Sequence, residues 1–232
     1  MSNQDSGRSE ESLAADIEQT SVGVPIRERY GLMLLLIFVG YVLSAVETSR
    51  FVLSLDSILW VTLLLTAVWS PGVPRRLRSV GLVATLVVLL TTISLGFVAS
   101  EAADGWRLLL IGVAQLSALL AILNRISRHE RVTFQTVMGG VAAYALIAFV
   151  MAAVFHSLPF LTGTNALNGV GASGDYVYFS FVTLTTVGYG DITPATELAK
   201  RLAVVEAFVG QVFLITLVAR LVSLWGRPLR SV

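Results

Sequence analysis

The sequence predicts an all-helical polytopic membrane protein, with six transmembrane helices and a short re-entrant helix between the fifth and the sixth. Hydrophobic residues make up 55% of the 232 residues and charged residues only 13%, whereas soluble domains carry about 25% charged residues. The apolar residues fall into six stretches, each near the roughly 20 residues that cross a bilayer as a helix. The chain has no cysteine, which excludes disulfides and thiolate metal sites.

The six apolar stretches follow a polar start. Residues 1–25 are polar and acidic and lack the basic start and apolar run of a signal peptide, so we expect a disordered cytosolic tail. Backbone groups in lipid must bond within their own segment, so isolated apolar stretches of this length are expected to be helices. We place these helices at Gly31–Val46, Phe51–Trp69, Val80–Ala99, Leu108–Ile126, Thr133–Phe155 and Leu198–Trp225.

Arginines in alternate loops predict the orientation of the helices. Cytoplasmic loops of membrane proteins carry an excess of Lys and Arg. Here arginines precede the first helix, fill the loops after the second and fourth, and follow the sixth, whereas the opposite loops have mixed charge. We therefore expect a cell-membrane protein that is surrounded by lipid and has both termini in the cytoplasm. The cytoplasmic set is Arg27, Arg29, Arg75, Arg76, Arg78, Arg125, Arg128, Arg131, Arg227 and Arg230.

The segment between the fifth and sixth helices, His156–Glu197, is predicted to lie outside and to have three parts. Residues 156–175 are rich in Gly, Asn, Ser and Thr and indicate a loop. Tyr176–Thr185 is apolar and aromatic but too short to span, which fits a re-entrant helix. The glycine-containing run Thr186–Pro194 follows. Non-helical backbone at membrane depth is tolerated only where protein or a watery cavity covers it, so this order indicates a pore loop.

The glycine-containing run has the composition that a carbonyl-lined strand requires. A permeating cation must exchange its water for other oxygens, and a strand with all its carbonyls on one side supplies them in a row. Carbonyls normally alternate, so every second residue must take an unusual conformation. Gly188 and Gly190 stand at alternate positions and allow positive φ. Val187 and Tyr189 would then point away and brace the strand, while the Thr186 hydroxyl adds an oxygen at the inner end.

The run resembles the TTVGYGD selectivity filter of the potassium channel family, and the match is unbroken from Thr185 to Asp191. The resemblance implies that four copies form a homotetramer around a shared axis and bind permeant K⁺ through backbone carbonyls. Asp191 would lie at the outer mouth and help to fix the filter; a turn or capping acid is the alternative. The implied ion-binding filter comprises Thr186, Val187, Gly188, Tyr189 and Gly190, with the K⁺ ligands at the first four.

The short helix and the sixth helix hold further candidate residues. Some bacterial members of the family carry a Glu paired with the filter Asp; Val182 stands at that position here. Aromatic residues of the short helix either form a cuff around the filter or simply pack in the core. The resemblance assigns filter support to Tyr178, Phe179, Val182 and Thr185.

In the sixth helix, Gly210 matches the hinge glycine of the family, with close helix packing as the alternative. Glu206 is expensive at membrane depth. It is either a cavity-facing or filter-backing acid that tunes conduction, or a neutral packing residue. Gln211, Leu214 and Val218 recur at helical spacing and are predicted to line the cavity.

The first four helices do not predict strong voltage gating. A voltage sensor needs about 3–4 charges within the field, but Leu108–Asn124 contains no Lys or Arg. Arg125, Arg128 and Arg131 have sensor-like spacing but lie at the cytoplasmic end, where positive-inside charge explains them. We divide the chain into a four-helix membrane domain at 26–132, either a degenerate voltage sensor or unrelated, a pore domain at 133–226 and a cytosolic tail at 227–232. These short tails leave no room for a ligand-binding gating module in cis.

The predicted function is passive, potassium-selective conduction. No span carries a constellation typical of an enzyme, and we expect no cofactor, no nucleic acid and no small-molecule substrate other than K⁺. Two alternatives remain open. One is a weakly selective cation channel, because one filter sequence can conduct differently in another scaffold. The other is a non-conducting accessory subunit or transporter that uses the pore fold, for which inverted repeats would be expected.

Overall fold

The computed structural model describes residues 30–45, 59–63, 65, 75–94, 101–127 and 133–225. The described chain is mostly helical, as predicted, and residues 59–63 are also helical. Its longer elements, in chain order, are α1 (Tyr30–Ser44), α2 (Arg75–Ser94), α3 (Glu101–Ile126), α4 (Phe134–Thr162), β1 (Leu167–Asn168), α5 (Gly174–Leu184), β2 (Thr193–Pro194) and α6 (Glu197–Trp225).

Three described helices are long and apolar enough to cross a membrane. They are Leu108–Ile126 of α3, Phe134–Thr162 of α4 and Glu197–Ser223 of α6, and they coincide with the predicted fourth, fifth and sixth spans. α1 is a shorter apolar helix at the predicted first span. α2 overlaps the predicted third span but begins at Arg75. Most of the predicted second span and both predicted tails lie outside the described residues, so the six-span arrangement stays a prediction.

α4 is the central helix, because it contacts α1, α3, α5 and α6. Its buried face is rich in small residues, which let neighbouring helices approach closely. The helix begins with a capping box in which Thr133 and Thr136 exchange side-chain and backbone hydrogen bonds of 3.3 Å. Such a box satisfies amide groups that the first turn would otherwise leave free. The small buried residues of α4 are Gly139, Gly140, Ala142, Ala143, Ala148, Ala152 and Ala153.

α4 is longer than predicted. Residues 156–162, for which we expected a loop, are helical, so the prediction was wrong there. The side chains of Phe155 and Leu158 are buried in a cluster shared with α5, and this burial favours continued helix. Pro159 lies in the final turn, and the helix ends at Gly163 with φ of 69°. A proline loses one backbone hydrogen bond, and the buried apolar surface outweighs that loss.

A two-stranded antiparallel ribbon, which the all-helical prediction did not include, joins the loop before α5 to the segment after the glycine-containing run. Leu167 pairs with Pro194 and Asn168 pairs with Thr193. A further backbone hydrogen bond of 2.8 Å runs from the Ala195 N–H to the Ala166 carbonyl. The two ends of the segment that contains α5 and the run are therefore fastened together.

Candidate functional site: the pore loop

The re-entrant helix predicted at Tyr176–Thr185 is α5, at Gly174–Leu184. Its start is fixed by Asp175, whose Oδ2 accepts hydrogen bonds from the Gly171 N–H at 2.7 Å and the Ala172 N–H at 2.9 Å. A carboxylate in the first helical turn also interacts favourably with the helix dipole. The position of α5 relative to the preceding loop is thus set by its own first turn.

Aromatic contacts hold α5 against α4. Phe179, a predicted support residue, is buried and meets Phe155 edge to face, with ring centroids 5.1 Å apart. His156 lies within α4 and not in the loop expected for it. Its ring stacks on that of Tyr176, with centroids 4.2 Å apart. Edge-to-face and stacked rings at these distances contribute about 0.5–1.5 kcal/mol each beyond their area burial. Phe179 therefore packs α5 against α4, and its role in filter support stays a prediction.

The C-terminal end of α5 contacts both long helices of the pore region. The Tyr144 hydroxyl of α4 donates a 3.0 Å hydrogen bond to the Leu184 carbonyl, one of the carbonyls that a helix end leaves without an intrahelical partner. A Cβ at Gly210 of α6 would lie 2.5 Å from Leu184 Cδ1 and 3.0 Å from the Leu184 carbonyl oxygen. Gly210 thus lies where α6 packs tightly on α5. This agrees with close helix packing, the alternative to a hinge for this glycine. Its role as a hinge stays a prediction.

The filter strand has the alternating backbone that a row of carbonyls requires. Gly188 and Gly190 have φ of 58° and 82°, and Thr186 has φ of 59°. Thr185, which precedes them, closes the end of α5 with a 3.0 Å hydrogen bond from its N–H to the Phe181 carbonyl. Left-handed residues at every second position reverse the usual alternation of peptide planes. The carbonyls of this strand can therefore face a common side.

Thr186 is the residue of the strand that sequence reasoning treated incompletely. Its hydroxyl and its carbonyl were assigned roles, but its backbone conformation was not predicted, and that backbone is left-handed. For a β-branched residue this conformation is a true outlier, with a cost of about 1–3 kcal/mol that the surrounding structure must offset. The spacing of Gly188 and Gly190 could have revealed it, because the same alternation, carried one step back, falls on position 186.

Val182 supports the strand through its backbone. Its carbonyl accepts hydrogen bonds from the Val187 N–H at 3.0 Å and the Gly188 N–H at 3.4 Å. The Thr186 N–H bonds to the Thr183 carbonyl at 3.0 Å. The last turn of α5 therefore orients the first three amides of the filter. This support does not depend on which side chain stands at position 182.

Asp191 has a partner that sequence reasoning missed. The Tyr178 hydroxyl donates a 2.7 Å hydrogen bond to Asp191 Oδ2, and the Tyr178 ring stacks parallel to Tyr189 with centroids 6.5 Å apart. This hydrogen bond lowers the pKa of Asp191 and raises the pKa of Tyr178 to about 12. The residue that follows the predicted filter is thus bound to α5 by a phenol. No local sequence signal identifies the pair, because it joins a helix to the residue after the filter.

The candidates on α6 separate into a buried and an exposed group. Glu206 is fully buried at 0% exposure, and its carboxyl group forms a hydrogen bond with the Ser180 hydroxyl of α5. The Glu206 side chain therefore lies against α5, as expected of a filter-backing acid or of a packing residue, and its function stays a prediction. The predicted cavity-lining residues lie on exposed faces of α6; they are Gln211, Leu214 and Val218.

A short helix, followed by a segment with left-handed residues at alternate positions and flanked by two helices long enough to cross a membrane, is the arrangement expected of an ion channel pore module. The ion channel family model matches residues 141–225. Two pore potassium channel b of Oryza sativa subsp. japonica is 36% identical over 80 residues, which are 34% of this chain and 21% of that protein. These matches confirm the resemblance of the chain to the potassium channel family.

Two further relatives match over shorter stretches. Two-pore potassium channel 4 of Arabidopsis thaliana is 53% identical over 49 residues, 21% of this chain and 17% of that protein. Two pore potassium channel c of Oryza sativa subsp. japonica is 47% identical over 49 residues, 21% of this chain and 11% of that protein. The matched regions thus span about a fifth or less of the length of these curated relatives. No solved structure matches the chain significantly.

Proposed function

We propose that this chain is a subunit of a potassium-selective channel that conducts K⁺ passively, without chemical turnover. The observation that carries the proposal is the alternation of left-handed residues at Thr186, Gly188 and Gly190. It occurs within an unbroken TTVGYGD run that follows a re-entrant helix. The relatives that match this chain are potassium channels by name, which supports potassium as the cargo.

In this proposal the filter substitutes for the hydration shell of the ion. The carbonyl oxygens of Thr186, Val187, Gly188 and Tyr189, with the Thr186 hydroxyl, would surround a dehydrated K⁺. Hydrogen bonds from the filter amides to the last turn of α5 limit how far the strand can move. A strand held in this way favours one spacing of oxygens, which is what discrimination between K⁺ and Na⁺ requires.

A single strand forms one wall of a pore, so we propose a homotetramer. In the isolated chain the filter side chains Val187 and Tyr189 are 52% and 71% exposed. α6 also presents apolar residues that one chain leaves uncovered, among them Val204, Phe208 and Ile215. Apolar exposure on this scale calls for lipid or other subunits as neighbours. Four copies around an axis would bury the filter side chains and leave the carbonyls facing the ions.

We also propose six spans in a cell membrane, with both termini in the cytoplasm and no strong voltage dependence. The Arg125 guanidinium lies 5.2 Å from the centre of the Tyr30 ring, a cation–π arrangement between α3 and α1. This contact at the end of α3 supports a structural role for Arg125 in place of a voltage-sensing one. Arg128 and Arg131 lie outside the described residues.

Reconstitution of the purified chain into planar bilayers would test the function. With potassium on one side and sodium on the other, we expect a reversal potential close to that of a potassium-selective pore. We also expect a current that changes little in shape with voltage. The mass of the detergent-solubilised assembly, after subtraction of bound detergent, should be that of four chains. A reversal potential near zero would favour the weakly selective alternative, and absence of current from tetramers would favour a non-conducting subunit.

A further inference from the structure

Glu206 lies in the centre of the α6 stripe that faces the rest of the chain. The stripe includes the buried Ala199 and Gly210 at helical spacing on either side of it. Gly210 contacts Leu184 at the end of α5, and Glu206, one turn earlier, contacts Ser180 one turn earlier in α5. The two helices therefore touch at successive turns, first through a polar pair and then through tight apolar packing.

The polar pair is part of a three-helix contact. The Ser180 hydroxyl, at 0% exposure, lies 2.7 Å from the Ala148 carbonyl of α4 and within hydrogen-bond distance of Glu206 Oε1. A hydroxyl has one proton to donate but can accept as well. Because its proton can serve only one acceptor fully, both contacts are satisfied when the serine donates to Ala148 and the Glu206 carboxyl group donates to the serine.

The surroundings of Glu206 favour a neutral carboxyl group in this position. Its second oxygen, Oε2, has no hydrogen-bond partner among the described residues. Glu197, at the exposed end of α6, forms an ion pair with Lys200. A buried charge is expensive unless it is paired and hydrogen-bonded. A neutral acid that donates one hydrogen bond meets the demands of this site with one polar contact.

We propose that Glu206 is a positioning residue for the selectivity filter, which acts through Ser180 to fix α5 between α4 and α6. The inference rests on the proposed function, because it assigns a role within the same pore. Ser180 stands two residues before Val182, whose carbonyl orients the amides of Val187 and Gly188. A displacement of this turn of α5 would therefore move the filter backbone directly. Glu206 itself is buried, so the role assigned to it is indirect.

Two replacements of Glu206 separate a hydrogen-bonding role from a space-filling one. In Glu206→Gln the amide keeps a donor and the shape, so we expect the wild-type potassium-over-sodium permeability ratio. In Glu206→Leu the volume is similar but the donor is lost, and we expect the ratio to fall on the order of tenfold. Ser180→Ala removes the other partner and should lower the ratio in the same way. Glu197→Gln and Glu197→Leu, at an exposed position of the same helix, are the matched controls and should both match wild type.

The double variant Glu206→Leu with Ser180→Ala measures whether the two residues act through each other. Each single change breaks the same contact, the hydrogen bond between Glu206 and Ser180. The double change should therefore lower the permeability ratio little further than either single change. Additive losses would overturn the proposal, and so would wild-type selectivity in both Glu206→Leu and Ser180→Ala. Loss of selectivity in Glu206→Gln would also overturn it, because the charge would then be essential. If Glu206→Leu fails to assemble, selectivity in Ser180→Ala decides.

Failure of this proposal is distinguishable from failure of the proposed function. A wild-type chain that conducts potassium selectively, together with unchanged Ser180→Ala and Glu206→Leu variants, removes only the positioning role. A wild-type chain without selective conduction removes the function as well. Potassium-dependent thermal stabilisation, compared with sodium, reports on ion binding in the filter without any current. It should be retained in Glu206→Gln and reduced in Ser180→Ala.

Discussion

The front region, residues 30–127, and the pore region, residues 133–225, differ in how closely the backbone depends on individual residues. All left-handed residues among the described ones lie between Gly163 and Gly190, within the pore region. The family match, at 141–225, lies there as well. The front region presents apolar helices, with exposed residues such as Phe38 and Val83. An apolar helix in lipid tolerates many sequences, whereas a carbonyl-lined strand tolerates few.

Replacement of one glycine in each region would test this difference most severely. Gly188 has φ of 58°, a conformation that is strained for alanine. We expect Gly188→Ala to abolish selective potassium conduction, because the strain would turn a filter peptide and misplace its carbonyl. Bilayer recordings of the reconstituted protein would measure the loss. A cost of about 1–2 kcal/mol for the left-handed backbone would apply in each subunit of the proposed tetramer.

The matched change in the front region is Gly31→Ala. An added Cβ at Gly31 meets nothing within 4 Å, and alanine favours a helix over glycine by about 0.5–1 kcal/mol. Conduction should be unchanged and thermal stability equal or slightly higher. If Gly31→Ala impaired conduction as much as Gly188→Ala, the contrast between the two regions would be wrong.

Close helix packing gives the second test. A Cβ at Gly210 would lie 2.5 Å from Leu184 Cδ1 and 3.0 Å from a backbone oxygen, whereas a Cβ at Gly40 in α1 would lie 3.3 Å from the flexible side chain of Leu59. We expect Gly210→Ala to lower the free energy of unfolding by about 1–3 kcal/mol. Gly40→Ala should change it less, because its neighbour can move. Thermal unfolding of the assembled protein would measure both.

The Gly210 result also distinguishes a hinge from a packing contact. Loss of a hinge alone would lower the open probability in single-channel records and leave stability unchanged or improved, since alanine favours a straight helix. Loss of a packing contact would lower stability. An equal response of the Gly40 and Gly210 variants in both measurements would contradict the distinct role of the pore region at this position.

Residue patterns predicted much of the pore region because its main determinants are local. The length and apolarity of 174–184 and 197–225 are sufficient for α5 and α6, and the motif itself requires left-handed backbone at Gly188 and Gly190. The filter-backing position of Glu206 was left open, because the side that a membrane helix turns toward its neighbours is not encoded in hydropathy alone.

Apart from the left-handed backbone of Thr186, the features that sequence reasoning missed depend on tertiary contacts. α4 extends to Thr162 because Phe155 is buried in the cluster with α5, a partner that local composition does not reveal. The bond between Tyr178 and Asp191 and the β1–β2 ribbon each join segments on opposite sides of the filter. In the front region hydropathy suggested helices but supplied no pairing rule, which is why the six-span arrangement stays a prediction.

The outer end of the filter gives a smaller, pH-dependent test. The hydrogen bond from Tyr178 lowers the pKa of Asp191, so its stabilising effect is present above the ordinary Asp pKa and is lost as pH falls through the lowered value. In Tyr178→Phe the donor is absent, and the pKa of Asp191 should return toward its ordinary value. Acid inhibition of potassium current from the outer side should therefore begin at a higher pH than in wild type.

The alkaline side follows from the other partner. The pKa of Tyr178 is raised to about 12, so the contribution of the bond is present below the ordinary tyrosine value and is lost as pH rises through about 12. The wild-type chain should thus keep this contribution up to a pH of about 12, whereas Tyr178→Phe lacks it at every pH. Tyr41→Phe, at an exposed tyrosine of α1, is the control in the front region. Identical acid profiles of wild type and Tyr178→Phe would argue against the bond.

The smallest effect is expected where the two regions meet, near the C-terminal end of α6. The Arg220 guanidinium donates hydrogen bonds to the Ile126 carbonyl at 2.9 Å and the Ser127 carbonyl at 3.1 Å. These groups belong to the C-terminal end of α3, where a cation interacts favourably with the helix dipole. Because Arg220 is partly exposed, Arg220→Ala should lower the free energy of unfolding by only about 1 kcal/mol. Arg201→Ala, at an exposed position near the other end of α6, should have less effect.

If the Arg220 contact also restrains α6, the open probability will rise in Arg220→Ala but not in Arg201→Ala. Equal changes in the two variants would mean that the front region acts on the pore through other contacts, or as an anchor only.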